Sequence, residues 1–422
     1  MDLVIYAPPF FIAAMLLELW WGRRQQRNTY RTNDAVGSLF LGSLSQARKF
    51  VTLGVGGYVY HLVAEHYAIA QLSSTSIWTW VLATFLYDFC YYWLHRLGHE
   101  RTILWAAHVA HHQSEDYNLS TALRQTSTGF LLGWIFYVPM FALGIPATVV
   151  VTVGSINLLY QFWVHTEHVG KLGWFEWVFV TPSNHRVHHA QNEIYLDRNY
   201  GGLFIIWDRL FGTFQEELED EPPIFGIRGA LKSFNPVKAL THIYRDMALD
   251  SFRTKRWSDK LRVWVSRTGW RPDDVMTRYP REKTNLARFE RFDPVIGSTA
   301  RYYALFQLVA VVVLLGYLQM GIASSYAIGA ALAGCMLFMA VCTSFWLDAQ
   351  PVVFSLVWEV LRLALFTLVL AVGSAALQVG FFIEVASGYL IANAVWLFLL
   401  FREGAKPLED ERPMAVAGMQ RQ

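Results

Sequence analysis

The chain has 422 residues, of which 54% are hydrophobic, 16% aromatic and only 16% charged. Soluble domains carry roughly 25% charged residues, so disorder, coiled coil and collagen are excluded. The 35 Lys and Arg nearly cancel the 33 Asp and Glu, which argues against nucleic acid as a partner and leaves a polytopic membrane protein as the natural class.

In chain order, Leu3–Trp21 is long and apolar enough for a first membrane span. It lacks the basic start and small-residue cleavage site of a signal peptide, so it reads as a retained anchor. Val36–Leu62 is a weaker second span, interrupted by Arg48 and Lys49. Ile77–Leu94 is a third, with Trp78 and Trp80 at one end and Tyr91, Tyr92 and Trp93 at the other, as interfacial aromatic belts would stand. Gly129–Val164 exceeds one span and carries Pro139 and Pro146 midway, which predicts a tight pair of spans or a re-entrant hairpin. Arg301–Met320, Tyr326–Leu347, Val352–Val372 and Ala376–Leu400 read as four closing spans, nine crossings in all.

Arg23, Arg24, Arg27 and Arg31 place the side after the first span in the cytoplasm, whereas 61–76 has no Lys or Arg. Alternation then puts 96–128, 165–300 and the tail from Arg402 on the cytoplasmic side. The chain divides into N-terminal spans (1–76), a histidine-rich core (77–215), a connector (216–300), C-terminal spans (301–400) and a tail (401–422). The aromatic run Phe204-Ile205-Ile206-Trp207 marks 165–215 as a folded cap on the membrane surface. Gly212-Thr213-Phe214, the acidic run Glu216–Glu221 and Pro222-Pro223 mark its boundary, with the acids read as a solvated loop. Cys90, Cys335 and Cys342 lie in apolar stretches without any CxxC and read as small buried residues. No internal repeat of fixed period is present. The expected fold is an all-α polytopic membrane helical bundle whose cytoplasmic helical cap carries a histidine-rich di-metal site.

That site comes from three patterns: His95-x3-His99, His108-x2-His111-His112 and His185-x2-His188-His189. Spacings of three and four set side chains on one helix face. A lone histidine on an apolar face is more often a hydrogen-bonded core residue. Three such clusters at one predicted membrane face are not. Neutral imidazole binds Zn, Cu, Fe and Ni, and one ion takes four to six ligands, so eight imidazoles suggest two ions. The zinc-protease HExxH is absent, because Arg101, Thr102 and Ile103 follow His99-Glu100. No Glu stands three residues before a His, as soluble di-iron bundles require. The cysteine positions exclude a Cys-bearing zinc site. An all-imidazole binuclear site at the cytoplasmic mouth of a bundle, beside apolar spans, suits oxidation of a lipid. A histidine-rich metal transporter is the reading from another class, but its ligands should sit near the midplane rather than at span ends.

Three further groups have two readings each. Asp88, two turns before His95, either orients a ligand's far N–H or makes a polar helix contact. Glu115-Asp116-Tyr117-Asn118 and Arg124-Gln125 either line a cofactor or headgroup pocket or cap helices. Glu359 and Arg362 form an internal pair or a packing feature of a late span.

Tyr91–Glu100 (YYWLHRLGHE), Leu104–Gln125, Leu158–Glu167, Thr181–His189 (TPSNHRVHH) and Asn199–Phe214 together resemble the fatty acid hydroxylase/sterol desaturase superfamily of membrane di-iron oxygenases, nearest to its alkylglycerol monooxygenase branch. The resemblance covers roughly Phe85 to Phe214, and the flanking spans share only hydropathy. It implies two iron ions, O2, a membrane lipid substrate, an external electron donor and, for this branch, a tetrahydropterin reductant. The implied reaction is hydroxylation next to an ether oxygen, releasing a fatty aldehyde and a glycerol derivative. A sterol, a sphingoid base or an aminolipid acyl chain is the alternative substrate. The implied metal ligands are His95, His99, His108, His111, His112, His185, His188 and His189. His165 matches a further family histidine, as a ninth ligand or a residue behind the ligands. Glu100 matches an acid that steers the pterin or a proton. His168 and Asn184 depart from the branch, where an apolar residue and a second histidine are expected. No haem-binding HPGG element occurs, so reducing equivalents come from outside the chain.

Overall fold

The computed structural model describes residues 2–48, 54–320, 326–373 and 380–404. They fold into helices, with three isolated bridges and no named strand among them. Helix α1 (Pro8–Arg24) begins at a Pro-Pro pair whose fixed φ suits a first turn, and ends on Arg23 and Arg24, which offset the C-terminal dipole. Helices α2 (Thr32–Ala47) and α3 (Val55–His66) precede the long α4 (Ile77–Glu100). Short helices α5 (Thr102–Ala106), α6 (Val109–His112), α7 (Leu119–Ala122) and α8 (Val138–Ala142) lead to α9 (Ala147–Trp163). The cap holds α10 (Pro182–His189) and α11 (Ile206–Phe211). The connector forms α12 (Pro236–Arg253), α13 (Trp257–Val265) and α14 (Asp273–Arg278), and α15 (Ser298–Gln319), α16 (Tyr326–Leu347), α17 (Val352–Gly373) and α18 (Gly380–Gly404) close the chain.

Among the described residues, α15 to α18 are the helices both long and apolar enough to cross a membrane. The chain is a membrane protein, and the four closing spans lie where the hydropathy put them. The start of the predicted Ala376–Leu400 span, and the tail from 405, lie outside the described residues.

Val36–Leu62 is not one span. Helix α2 ends at Ala47, and α3 starts afresh after Gly54, whose φ of 65° is left-handed. The reason lies in the side chains of α2: Gly37, Ser38, Gly42, Ser43 and Ser45 dilute its hydropathy because they face protein. A Cβ on Gly42 would lie 2.4 Å from the Leu123 carbonyl oxygen, and one on Gly37 would press on Phe234 at 3.3 Å. Val36, Phe40 and Leu44 of α2 share one buried core with Leu308, Val311 and Leu314 of α15 and Met336 and Met339 of α16. Asn33 at its start donates to the Leu347 and Pro294 carbonyls.

Gly129–Val164 turns back on itself in two arms, as both sequence readings require. Two 3-10 turns, Gly129–Leu131 and Gly133–Tyr137, run into α8, and the chain then reverses at Gly144, with φ +79°. Any Cβ there would overlap the Ala70 carbonyl. Met140, Phe141, Ile145, Val149, Val150 and Val153 of this hairpin pack with Ala83 and Cys90 of α4.

Inside the closing bundle, Arg362 Nε donates to Glu359 (2.6 Å) and its Nη2 to Asn393 Oδ1 (2.7 Å) and Tyr303 Oη (3.3 Å), while Gln307 also reaches Asn393 (2.7 Å). Glu359 and Arg362 are thus a buried pair, as one sequence reading had it. All three cysteines are free and buried.

Candidate metal centre

His95 and His99 sit on the last two turns of α4, one turn apart. His108 leads into α6, which carries His111 and His112. His165 follows α9 directly. His185, His188 and His189 ride on α10, whose start is built by the sequence Thr-Pro-Ser-Asn: Thr181 caps it, Pro182 sets the first turn, and Asn184 returns the cap's hydrogen bond. So Asn184, where the resemblance leads one to expect a histidine, serves the helix start.

These elements bring the nine expected histidines into two groups. His95, His99, His108, His112 and His188 form one, and His111, His165, His185 and His189 the other; ligand-capable atoms within each lie within 4.8 Å of one another. In the five-histidine group, Nε2 of His108 lies 3.1 Å from that of His95 and of His112, and His99 and His112 are also 3.1 Å apart. In the four-histidine group, His165 Nε2 lies 3.4 Å from His111, 3.2 Å from His189 and 3.1 Å from His185.

The rings are aimed by backbone. Nδ1 donates to the Tyr200 carbonyl from His95 (2.8 Å), to Arg124 from His111 (3.0 Å), to Gln161 from His165 (2.7 Å) and to Arg198 from His188 (2.9 Å). A carbonyl only accepts, so in a neutral ring this fixes the proton on Nδ1 and leaves Nε2 as a lone pair. Burial holds His108, His112, His165, His185, His188 and His189 well below the usual imidazole range and brings His111 to about 4, so these rings are neutral at pH 7.

The donor set fits metal ions. His111 and His165 face each other with two lone pairs and no proton to share, and His188 Nε2 is buried without a hydrogen-bond partner. Imidazoles sharing one ion, at bonds of about 2.1 Å, hold their nitrogens roughly 3.0–3.4 Å apart. The observed separations fall in that range, and a cation in each group would satisfy every inward lone pair. With the family resemblance, the suggested metal is iron.

Glu100 belongs to neither group. Its carboxylate accepts from Arg96 Nε (2.9 Å), and Arg96 also donates to Tyr92 Oη. His168 stands apart beside α1, its ring against Gly22. Asp88 does not orient His95. It accepts from Asn157 across the α4–α9 contact, from the Leu203 and Phe204 amides and from Trp207 of α11, so the polar-contact reading holds and extends to the cap. Asn118 caps α7, as one sequence reading allowed, while Asp116 takes Arg31 (2.8 Å) and Arg291 (3.0 Å). The acidic run is not wholly solvated: Glu217 grips Arg186 of α10 through two hydrogen bonds of 2.8 and 2.7 Å.

Sequence reasoning missed Asp208. Fully buried, it accepts from the Tyr200 and Gly201 amides (2.7 and 2.8 Å) and from Thr213 (2.7 Å), and so holds the carbonyl that aims His95. Burial pushes its carboxyl up to about 6, still ionised at pH 7. Its only sequence signal is its place in the Asn199–Phe214 stretch.

A cavity of about 190 Å3 opens against His95, His108 and His111. Leu94, Ile103, Leu104, Leu131, Leu132 and Leu158 line it, and Tyr91, Gln125, Gln161 and Tyr244 add polar groups. Apolar and polar side chains thus meet beside the imidazoles, the mixed lining of a ligand pocket.

Residues 80–213 match the model of the family described as Fatty acid hydroxylase. Alkylglycerol monooxygenase of Homo sapiens is 36% identical over 385 residues, covering 88% of this chain and 83% of the human protein. The Xenopus tropicalis protein of that name is 37% identical over 305 residues, covering 72% of this chain and 68% of the relative. An ornithine lipid hydroxylase of Rhizobium tropici is 31% identical over 153 residues, 35% of this chain and 45% of its own. No solved structure matches the chain.

Proposed function

We propose a reaction from the premise that this chain belongs to the fatty acid hydroxylase family and is a membrane lipid monooxygenase that uses O2: it hydroxylates the carbon next to the ether oxygen of an alkylglycerol. The product is a hemiacetal, which collapses to a fatty aldehyde and a glycerol. One oxygen atom of O2 enters the lipid and the other leaves as water, so two electrons and two protons come from an external donor, with a tetrahydropterin as the reductant.

The observation that carries this reading is the juxtaposition of two imidazole groups with an apolar slot that ends in polar side chains. His95, His99, His108, His112 and His188 would hold one iron ion, and His111, His165, His185 and His189 a second. Bound there, the pair would supply O2 activation and the oxidising power for a C–H bond. The chain's own residues do the positioning. Backbone carbonyls of Tyr200, Arg124, Gln161 and Arg198 aim four of the rings. The leucine wall takes the alkyl chain and keeps water from it. Glu100, paired with Arg96, would steer the pterin or a proton.

The test is purified protein in detergent with iron, tetrahydropterin and 1-O-alkylglycerol. Fatty aldehyde is expected, with two irons per chain. Iron-loaded protein that releases none refutes the ether substrate, and activity on a sterol or an aminolipid instead would install the alternative reading.

A further inference from the structure

The cavity's polar side is wired in one direction. Asp88 lies fully buried on α4. Its Oδ1 accepts from the Leu203 amide (2.7 Å) and Asn157 Nδ2 (2.7 Å), and its Oδ2 from the Phe204 amide (3.0 Å) and Trp207 Nε1 (3.0 Å). All four partners are donors, so Asp88 only accepts. That fixes the Asn157 amide: its NH2 faces Asp88 and its oxygen faces Gln161. Gln161 Nε2 donates to that oxygen (2.6 Å), so Gln161 Oε1 must accept, and it does, from Tyr91 Oη–H (2.7 Å). The one hydroxyl proton of Tyr91 is therefore engaged, and its oxygen keeps free lone pairs.

Tyr91 stands one turn before His95 on α4, the two ring centroids 5.2 Å apart, and both Tyr91 and Gln161 line the cavity with His95, His108 and His111. The cap locks the chain of dipoles from behind. A Cβ on Gly202 would lie 2.8 Å from Tyr91 Cδ1 and 3.0 Å from both Asn157 Oδ1 and Asp88 Oδ1.

We infer that Tyr91 is a specificity-determining residue whose oxygen accepts a hydrogen bond from a free hydroxyl of the lipid, so that the slot selects long chains bearing an alcohol near the polar end over equally long chains that can only accept. This deepens the proposed function and rests on its reading of the cavity, since a glycerol ether carries such hydroxyls. A site built to pair a hydroxyl discriminates strongly against an analogue without one.

Equilibrium competition tests it without turnover. A pyrene-tailed fatty alcohol bound to detergent-purified protein is displaced by hexadecanol and by hexadecyl methyl ether. The wild type is expected to prefer the alcohol by about tenfold, some 1.4 kcal/mol. Tyr91→Phe should bring the two affinities together. Gln161→Met keeps the tyrosine but frees its proton to turn into the cavity, so binding of the methyl ether should rise. A structural role for these residues would weaken both competitors alike and leave the ratio as it was. Equal affinities in the wild type, or a ratio unchanged in either variant, overturns the inference. Absence of aldehyde in the activity assay, with the ratio as expected, sinks only the ether reading.

Discussion

Substituting Asp208→Asn probes how one loop of the cap, 199–201, holds one metal group and not the other. The carboxylate accepts three hydrogen bonds of 2.7–2.8 Å, two of them from the Tyr200 and Gly201 amides. Asparagine has the same shape but only one acceptor oxygen, so its NH2 must face one of those amides. A buried donor left unpaired costs about 1–3 kcal/mol, so a loss of roughly 1–3 kcal/mol falls on the loop that ends at the Tyr200 carbonyl. That carbonyl is 2.8 Å from His95 Nδ1. Disturbing a group that orients a ligand typically costs about 10–100-fold in metal affinity. The expected outcome is that iron in the five-histidine group is lost at a 10–100-fold lower chelator concentration. Iron in the four-histidine group, whose rings rest on Arg124 and Gln161 instead, should stay. The assay is a chelator titration with iron counted per chain, alongside the thermal melt. A variant that keeps both irons with the wild-type titration curve, or loses both together while still folded, refutes the reasoning.

His165→Ala should remove iron from the four-histidine group, whereas His168→Ala, outside both groups, should leave the iron count intact; metal analysis of the two proteins separates them. Acid should destabilise the metal-free protein: an unfolded imidazole takes its proton near pH 6.5, whereas His111 in the fold resists until about pH 4, so the unfolded state binds more protons across that window and stability falls as pH drops through it. At His111 alone this amounts to about 3 kcal/mol, readable as a falling melting temperature between pH 7 and 4.5 that iron loading opposes; a flat profile would contradict the burial. Arg362→Met leaves Glu359 buried and without its cation, with Trp346 Nε1 at 3.2 Å and the Tyr303 hydroxyl as donors. A broken buried pair costs about 3–5 kcal/mol, so this variant should melt well below Glu359→Gln/Arg362→Met in detergent, and equal melts would show that the pairing contributes little.

Side chains that carry chemistry were legible in the sequence, and backbone that aims them was not. All nine histidines expected to hold metal meet in two groups; the HxxxH and HxxHH spacings marked eight of them, and His165 stood out only through the family resemblance. The partners of their far nitrogens are carbonyls of Tyr200, Arg124, Gln161 and Arg198, and a carbonyl exists at every residue, so no composition or spacing marks it. Asp88 was visible as an unusual acid in an apolar run, but three of its four partners lie more than a hundred residues away in the cap and the fourth, Asn157, on α9. The closing spans were plain from hydropathy. Helix α2 misled because hydropathy cannot distinguish a weak lipid-facing span from a helix enclosed by protein.

The way α2 is enclosed bears on how much of this enzyme can be trimmed away. The family match spans 80–213, which suggests a self-sufficient catalytic module. Yet α2, from before that stretch, is a wedge with Leu123 on one side and the α15–α16 pair on the other, and Arg124, whose carbonyl aims His111, donates to Ser38 of the same wedge. Cutting at the edges of the match would strip the mortar from both faces at once, leaving the histidines on a scaffold open to lipid where it now meets protein. The C-terminal bundle is therefore the far abutment of the active site's foundation, however distant its residues stand in the chain.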